Sequence, residues 1–244
     1  MAESSACDHD SHSTAAGRRL LLIPTAMERD RLVSAMLRRG DAGHALVGTT
    51  RIETCGFGVV AAAAMTMRYL DQHRPIHVIL AGIAGSLGPE CEVGSAYWFD
   101  EVVCDGIGVG SEDSYLSATV LGWNHLDADA SGEPIGDRLG LHLPESSTEG
   151  ARSPGLLTRC AASPTLEDAQ AARRRAEQTC LGKTFAAEDM EGFAVALACQ
   201  VAGVPLSIVR GISNEAGDRN HSTWKTAPAL DGVAEQLCSL DAID

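Results

Sequence analysis

Residues 188–214 read E-D-M-E-G-F-A-V-A-L-A-C-Q-V-A-G-V-P-L-S-I-V-R-G-I-S-N. The segment opens on three carboxylates, Glu188, Asp189 and Glu191, set around Met190. An apolar run of helical character follows to Val201, with Gly203 and Pro205 after it as stop signals. A short β-branched run, Leu206 to Val209, then ends in Arg210, Gly211, Ile212, Ser213 and Asn214. A helix therefore feeds a buried strand, with polar groups just before the helix and just after the strand. In open α/β sheets such strand ends line the ligand crevice.

The rest of the chain fits the same alternation. A fully apolar strand is expected over 20–23, broken by Pro24 and Thr25, then an amphipathic helix over 27–39 with Gly40 as its stop. Strands are expected at 45–47 and 50–55, and an Ala-rich buried helix at 58–70. The apolar strand 76–80 runs into what reads as a glycine-rich loop, A-G-I-A-G-S-L-G over 81–88. A longer strand follows at 93–104 with Tyr97, Trp98 and Phe99, then a loop at 105–110. Residues 124–154 are polar with scattered Gly, Pro and Ser, and read as an excursion or lid within one domain. A strand at 155–160, a charged exposed helix at 166–179, a short strand at 184–187 and a last helix at 223–240 complete the pattern. The expected fold is α/β: a single domain over 18–244 whose central sheet is mostly parallel or mixed, twisted and flanked by helices. Residues 1–17 read as a disordered polar tail.

Composition narrows the partners. The 244 residues are 45% hydrophobic and carry a formal net charge of -14. Phosphate backbones and anionic membranes need a basic footprint, so neither nucleic acid nor a membrane is an expected partner. Of the eight cysteines none forms a C-x-x-C pair, and several lie in apolar runs, as Cys199 does. They read as reduced core thiols. The N-terminal stretch has no apolar core of a signal peptide, and no apolar run approaches the roughly 20 residues of a membrane span. A cytoplasmic location is expected, with no metal and no cofactor.

Several residues have the chemistry of a site. The glycines of 82–88 have the spacing G-x-x-G-x-x-G, without the lysine of a Walker loop and without the G-x-G-x-x-G fingerprint. They would let backbone N–H groups approach a ligand, with the Ser86 hydroxyl beside them. Glu188 and Asp189 read as acids favoured by a helix N-terminus. Glu191 differs: one carboxylate accepts hydrogen bonds from two adjacent hydroxyls, as a ribose diol offers. Asn214 carries a donor and an acceptor on one amide.

The M-E-G of 190–192, together with the R-G-I-S-N of 210–214, resembles the nucleoside phosphorylase and nucleosidase family, and within it the futalosine hydrolases. That resemblance covers roughly residues 20–240 by motif order, apart from the 124–154 excursion. It implies a clamp on the ribose diol by Glu191, with Met190 packed on the sugar. It implies that Ile83, Ala84, Gly85 and Ser86 lie beside ribose and base. Ala161 and Ala162 would offer backbone groups to the base, and Trp224 would cover the pocket. Adenine-specific relatives usually carry Asp where this chain has Asn214, and an amide suits a 6-oxopurine better. The water that cleaves the N-glycosidic bond needs a base, and the segment P-T-A-M-E-R-D offers Glu28, with Asp30 as the alternative. Residues 76–94 contain no Arg or Lys, which favours water over phosphate as the nucleophile. The implied activity is hydrolysis of futalosine to hypoxanthine and dehypoxanthine futalosine, in menaquinone biosynthesis. The alternatives are a methylthioadenosine/S-adenosylhomocysteine-type nucleosidase, a purine nucleoside phosphorylase, or a non-catalytic nucleoside-binding protein. A homodimer or higher homo-oligomer is implied as well.

Overall fold

The structure, a computed structural model, describes residues 19–110, 114–145, 153–180 and 182–240. The N-terminal tail expected at 1–17 lies outside the described residues. Strand β3 (His77–Ser86) organises the rest. On one edge its first half pairs in parallel with β1 (Arg19–Ile23), from His77 to Leu80. On the other edge it runs parallel to β11 (Leu206–Glu215) over almost its whole length. Its last two residues, Gly85 and Ser86, pair antiparallel with β10 (Phe185–Asp189). Beyond these, β2 (Arg51–Thr54) extends the sheet past β1. On the far side β10 leads to β9 (Gly155–Arg159), β5 (Glu101–Asp105) and the edge strand β8 (Arg138–Gly140). Strand β4 (Ala96–Phe99) closes antiparallel on β11. The sheet is therefore mixed, as the sequence allowed.

The apolar runs are continuous because both faces of the sheet are covered. Alternate residues go to opposite sides. Leu20, Leu22, Val78, Leu80, Leu206 and Ile208 pack into the core under α3 (Gly58–His73) and α5 (Gly192–Ala202). Leu21, Ile23, Ile79, Ala81 and Val209 face the opposite core with α1 (Ala26–Leu37) and α6 (Thr226–Cys238). A third cluster lies under α4 (Leu166–Thr179), whose Ala169, Ala172 and Ala176 let it sit close to Leu157 and Phe185.

Four expectations are corrected. The run 45–47 is not a strand but lies inside helix α2 (Asp41–Thr49), and Gly40, with φ of 70°, precedes that helix. Three apolar residues do not distinguish strand from helix by periodicity. The glycine stretch 81–86 is not a loop but the second half of β3, held by pairing on both edges. The strand expected at 93–104 is two, broken at Asp100, because β4 pairs with β11 while β5 pairs with β9. The excursion at 124–154 is not wholly irregular: it contributes β8 to the sheet edge and an isolated bridge between Leu126 and Ile135. The two-residue strands β6 (Gly108–Val109) and β7 (Leu116–Ser117) form a separate hairpin.

Candidate active site

The edge of β3 is handed from β1 to β10 between Leu80 and Gly85. A cleft of about 300 Å³ opens at this place, at the carboxyl ends of β1 and β11. Its wall includes Pro24, Glu28, Phe57, Ile83, Gly85, Ala162, Met190, Glu191, Asn214 and Trp224.

Glu28 reaches it through local helix chemistry. Thr25 is the N-cap of α1, and T-A-M-E has the spacing of a capping box. The Thr25 hydroxyl accepts the Glu28 N–H at 3.3 Å and donates to Glu28 Oε2 at 2.5 Å. The carboxylate does not fold back on the cap backbone. It crosses to β3, where Oε1 accepts the Ile83 N–H at 3.0 Å. Ile83 lies in the stretch left between β1 and β10, so the side chain of Glu28 completes the sheet edge. Asp30, the alternative to Glu28, points to solvent and pairs with Arg29.

Glu191 is the N-cap residue of α5 but does not cap it. That task falls to two neighbours: Asp189 Oδ2 accepts the Gly192 N–H at 2.9 Å, and Thr158 Oγ1 accepts the Phe193 N–H at 2.8 Å. Glu191 is released to face the cleft. Its Oε1 accepts the Gly58 N–H at 2.9 Å, so it sits on the first residue of α3, at the positive end of that helix. Its Oε2 lies 3.4 Å from Arg210 Nη2. Burial pushes the Glu191 carboxyl up to about 7. Arg210 and the Gly58 N–H oppose that rise, and the charges of Asp189 and Glu28 add to it.

Arg210, in the middle of apolar β11, is fully buried. It donates to Asp189 Oδ2 from Nε at 3.1 Å and from Nη2 at 2.5 Å. Gly82 makes room for it: a Cβ there would lie 2.4 Å from Arg210 Nη1 and 2.8 Å from Glu28 Oε1. Asp189 is therefore a buried counter-ion and helix cap, more than the dipole-favoured acid of the sequence reading. Glu188 is likewise buried, with its carboxylate on Ser163. The role of Arg210 was not read from sequence. Its signal was a lone charge inside an apolar strand, which demands a buried partner.

At the other end of the cleft, Asn214 Oδ1 accepts the Ser213 hydroxyl at 2.7 Å and Nδ2 donates to the Glu215 carbonyl at 2.8 Å. Trp224 lines the mouth beside His221, and its indole N–H donates to the Asp218 carbonyl at 3.2 Å. Met190, Ile83, Ala84, Gly85 and Ala162 all line the cleft. Ser86 and Ala161 do not. The Ser86 hydroxyl donates to the carbonyls of Gly88 and Cys91 and closes the following turn, and Ala161 is exposed. Phe57, Arg219 and His221 also line the cleft and were not singled out from the sequence. Among the described residues no group of three or more His, Cys, Asp or Glu side chains is placed to hold a metal.

Comparison with known proteins fits this arrangement. The sequence pattern of the phosphorylase superfamily matches residues 39–240. The futalosine hydrolase of Streptomyces coelicolor is 29% identical over 241 residues, covering 90% of this chain and 94% of that protein. The futalosine hydrolase of Thermus thermophilus is 31% identical over 230 residues, covering 89% and 92%. Among solved structures, a 5′-methylthioadenosine/S-adenosylhomocysteine nucleosidase from S. pneumoniae with a transition-state inhibitor superposes with a TM-score of 0.66 at 16% identity. That match covers 93% of this chain and 99% of that one and is a likeness of fold.

Proposed function

The chain belongs to the phosphorylase superfamily, and we propose that it hydrolyses the N-glycosidic bond of a 6-oxopurine nucleoside, with futalosine as substrate and hypoxanthine as the released base. The observation that carries this reading is the convergence of two buried carboxylates, Glu28 and Glu191, from different elements on one cleft that also presents Asn214. The similarity to two futalosine hydrolases over about nine-tenths of the chain supports it.

The chemistry follows from the free acceptor sites. A carboxylate offers about four lone-pair positions. Gly58 and Arg210 take one on each oxygen of Glu191, and two remain for the vicinal hydroxyls of the ribose. Thr25 and Ile83 occupy Glu28 in the same way and fix its direction, leaving positions for the attacking water. Water oxygen bonds to C1′ as the C1′–N9 bond breaks, and Glu28 takes the water proton. The sugar passes through an oxocarbenium-like state, which the negative charge of Glu191 stabilises inside the buried site. Asn214 cannot supply a proton, so the base departs as its anion, the charge spread onto O6, and takes a proton from solvent while Glu28 returns the one it took; Asn214, held by Ser213 and the Glu215 carbonyl, lies beside it with one acceptor position open on Oδ1. Met190 packs on the sugar and Trp224 closes the base end.

The cations around the cleft favour water over phosphate. Arg210 is committed to Asp189 and Glu191, Arg219 stands over the Trp224 ring at the mouth, and Arg29 and Arg51 pair with Asp30 and Glu53 outside the cleft, so the described residues bring no cluster of arginines together there. The enzyme acts in the cytoplasm as a homo-oligomer; exposed Phe57, Val60 and Met67, beside the cleft and along α3, supply an apolar face for a second copy. Incubation of the protein with futalosine, inosine and methylthioadenosine, with and without phosphate, tests the proposal by chromatography of the free base. Phosphate-independent release of hypoxanthine from futalosine is expected. Release only with phosphate, or only of adenine, contradicts it.

A further inference from the structure

We infer that Arg219 is a catalytic residue at the leaving group: its guanidinium meets the negative charge that the departing purine carries as the C1′–N9 bond breaks. This rests on the hydrolase reading above and adds to it the group that stabilises the base.

The need for such a group comes from the charges of the cleft itself. Asn214 has no proton to give, so the electron pair of the C1′–N9 bond leaves with the base as an anion. The acidic side chains that line the cleft are Glu28, Glu188, Asp189 and Glu191. Arg210 offsets Asp189 from below, where it is fully buried. The remaining carboxylates oppose a second negative charge growing among them, and more strongly as water is excluded. Asn214 cannot offset that charge with its amide hydrogens, because Nδ2 donates to the carbonyls of Glu215 at 2.8 Å and Asp218 at 3.5 Å. Among the described residues lining the cleft, Arg219 is the one arginine or lysine.

The loop after β11 is built to present that cation. The Asp218 carbonyl accepts Asn214 Nδ2 and, at 3.2 Å, the Trp224 indole N–H, which ties the loop to the end of β11 and to the wall of the cleft. Arg219 follows directly. The acid beside it in the chain is spent inside the loop: the Asp218 carboxylate accepts the Asn220 N–H at 2.8 Å and the Thr223 hydroxyl at 2.9 Å. No described carboxylate reaches ion-pair distance of Arg219. Its Cζ stands instead 5.9 Å from the centre of the Trp224 ring, and His221 packs on the same indole at 4.3 Å. An aromatic face holds a guanidinium without neutralising it. The charge and the planar fork of donors are therefore left for a ligand at the base end of the cleft. One such arginine matches a singly charged base and falls short of the set that a phosphate dianion needs.

Hydrolysis of futalosine and of 7-methylfutalosine by the full-length protein tests this. In the methylated substrate the base carries a positive charge, so the same bond cleavage releases neutral 7-methylhypoxanthine and no anion forms. Arg219→Met is expected to lower kcat for futalosine roughly 10- to 100-fold, the range of a hydrogen bond to a charged group, and to change kcat for the methylated substrate less than about threefold. Arg219→Lys keeps the charge without the fork and is expected to recover part of the loss. Both variants are expected to melt with the unaltered protein, since Arg219 is exposed and pairs with no acid. Equal slowing of the two substrates, the mark of a disturbed loop, overturns the inference. So does futalosine turnover that Arg219→Met leaves unchanged. A second measurement needs no turnover. By calorimetry the unaltered protein is expected to bind hypoxanthine more tightly as pH rises through the loss of the base's own proton, and Arg219→Met is expected to lose that gain; the same pH dependence in both proteins overturns the inference. If the unaltered protein releases no hypoxanthine from futalosine, the hydrolase reading fails and takes this inference with it. If it releases hypoxanthine while the two substrates respond alike to Arg219→Met, the hydrolase reading stands and the role of Arg219 is refuted.

Discussion

Replacing Arg210 by Met is the sharpest test of how the site is held together. The guanidinium is wholly buried, and so is its closest partner, Asp189. Two of its nitrogens meet one Asp189 oxygen at 3.1 and 2.5 Å, and Glu191 lies 3.4 Å away. Met fills similar space, so the loss is chiefly electrostatic: two carboxylates stay in the interior without their counter-ion. Removing one partner of a buried ion pair costs about 3–5 kcal/mol. For a chain of this size each kcal/mol lowers Tm by about 2–4 °C, so Arg210→Met is expected to melt roughly 6–20 °C below the unaltered protein. Adding Asp189→Asn removes one stranded charge and is expected to recover part of the loss. Urea unfolding followed by circular dichroism, with thermal melts, measures both. An Arg210→Met protein within about 1 kcal/mol of the unaltered one would refute the reasoning, since that is an ordinary single-substitution effect.

Glu28→Gln is expected to lower kcat by roughly 10²- to 10⁴-fold with the fold intact, the usual contribution of a general base, while Asp30→Asn stays near full activity because Asp30 points to solvent; steady-state hydrolysis with both variants checks this. Glu191 is held near 7 against an ordinary value of 4.5, so kcat/KM is expected to climb with unit slope through about pH 7 as the diol clamp ionises. Because the folded chain binds this proton more tightly than the unfolded chain, the stability Glu191 contributes is whole below pH 4.5 and is lost as pH rises through 7; a pH–rate profile and pH-dependent melts read the two effects. Gly82→Ala drives a methyl group to 2.4 Å from Arg210 and 2.8 Å from Glu28, and is expected to lose about 1–3 kcal/mol of stability together with most activity, seen by melting and turnover of the same sample.

The strands that fill the core were legible because they are short, apolar and buried on both faces. The run 20–23 and the start of β11 at Leu206 were recovered, but the strand does not stop at Val209: it continues to Glu215, so Arg210 and Asn214 lie within it and not after it. What escaped was decided by tertiary contacts. The glycines of β3 look like loop residues in isolation, but Gly82 is glycine because Arg210 and Glu28 pass beside it, and the strand continues through. Ala45, Leu46 and Val47 look like strand, but they lie in a nine-residue helix packed on α1. Glu28 and Asp30 were equivalent in sequence; the fold separates them because the third residue after Thr25 turns inward to β3. Asp189 and Glu188 looked alike as acids near a helix start, and only the register of β10 against β3 and β9 shows them committed to different partners.

A crystal structure of the protein with hypoxanthine and a ribose-like inhibitor would measure the distance from the Glu191 carboxylate to the two vicinal hydroxyls. Both are expected within about 2.7–3.0 Å of it, with the base lying over Gly85. A sugar bound with its diol turned away from Glu191, or outside the cleft between β1 and β10, would contradict the account.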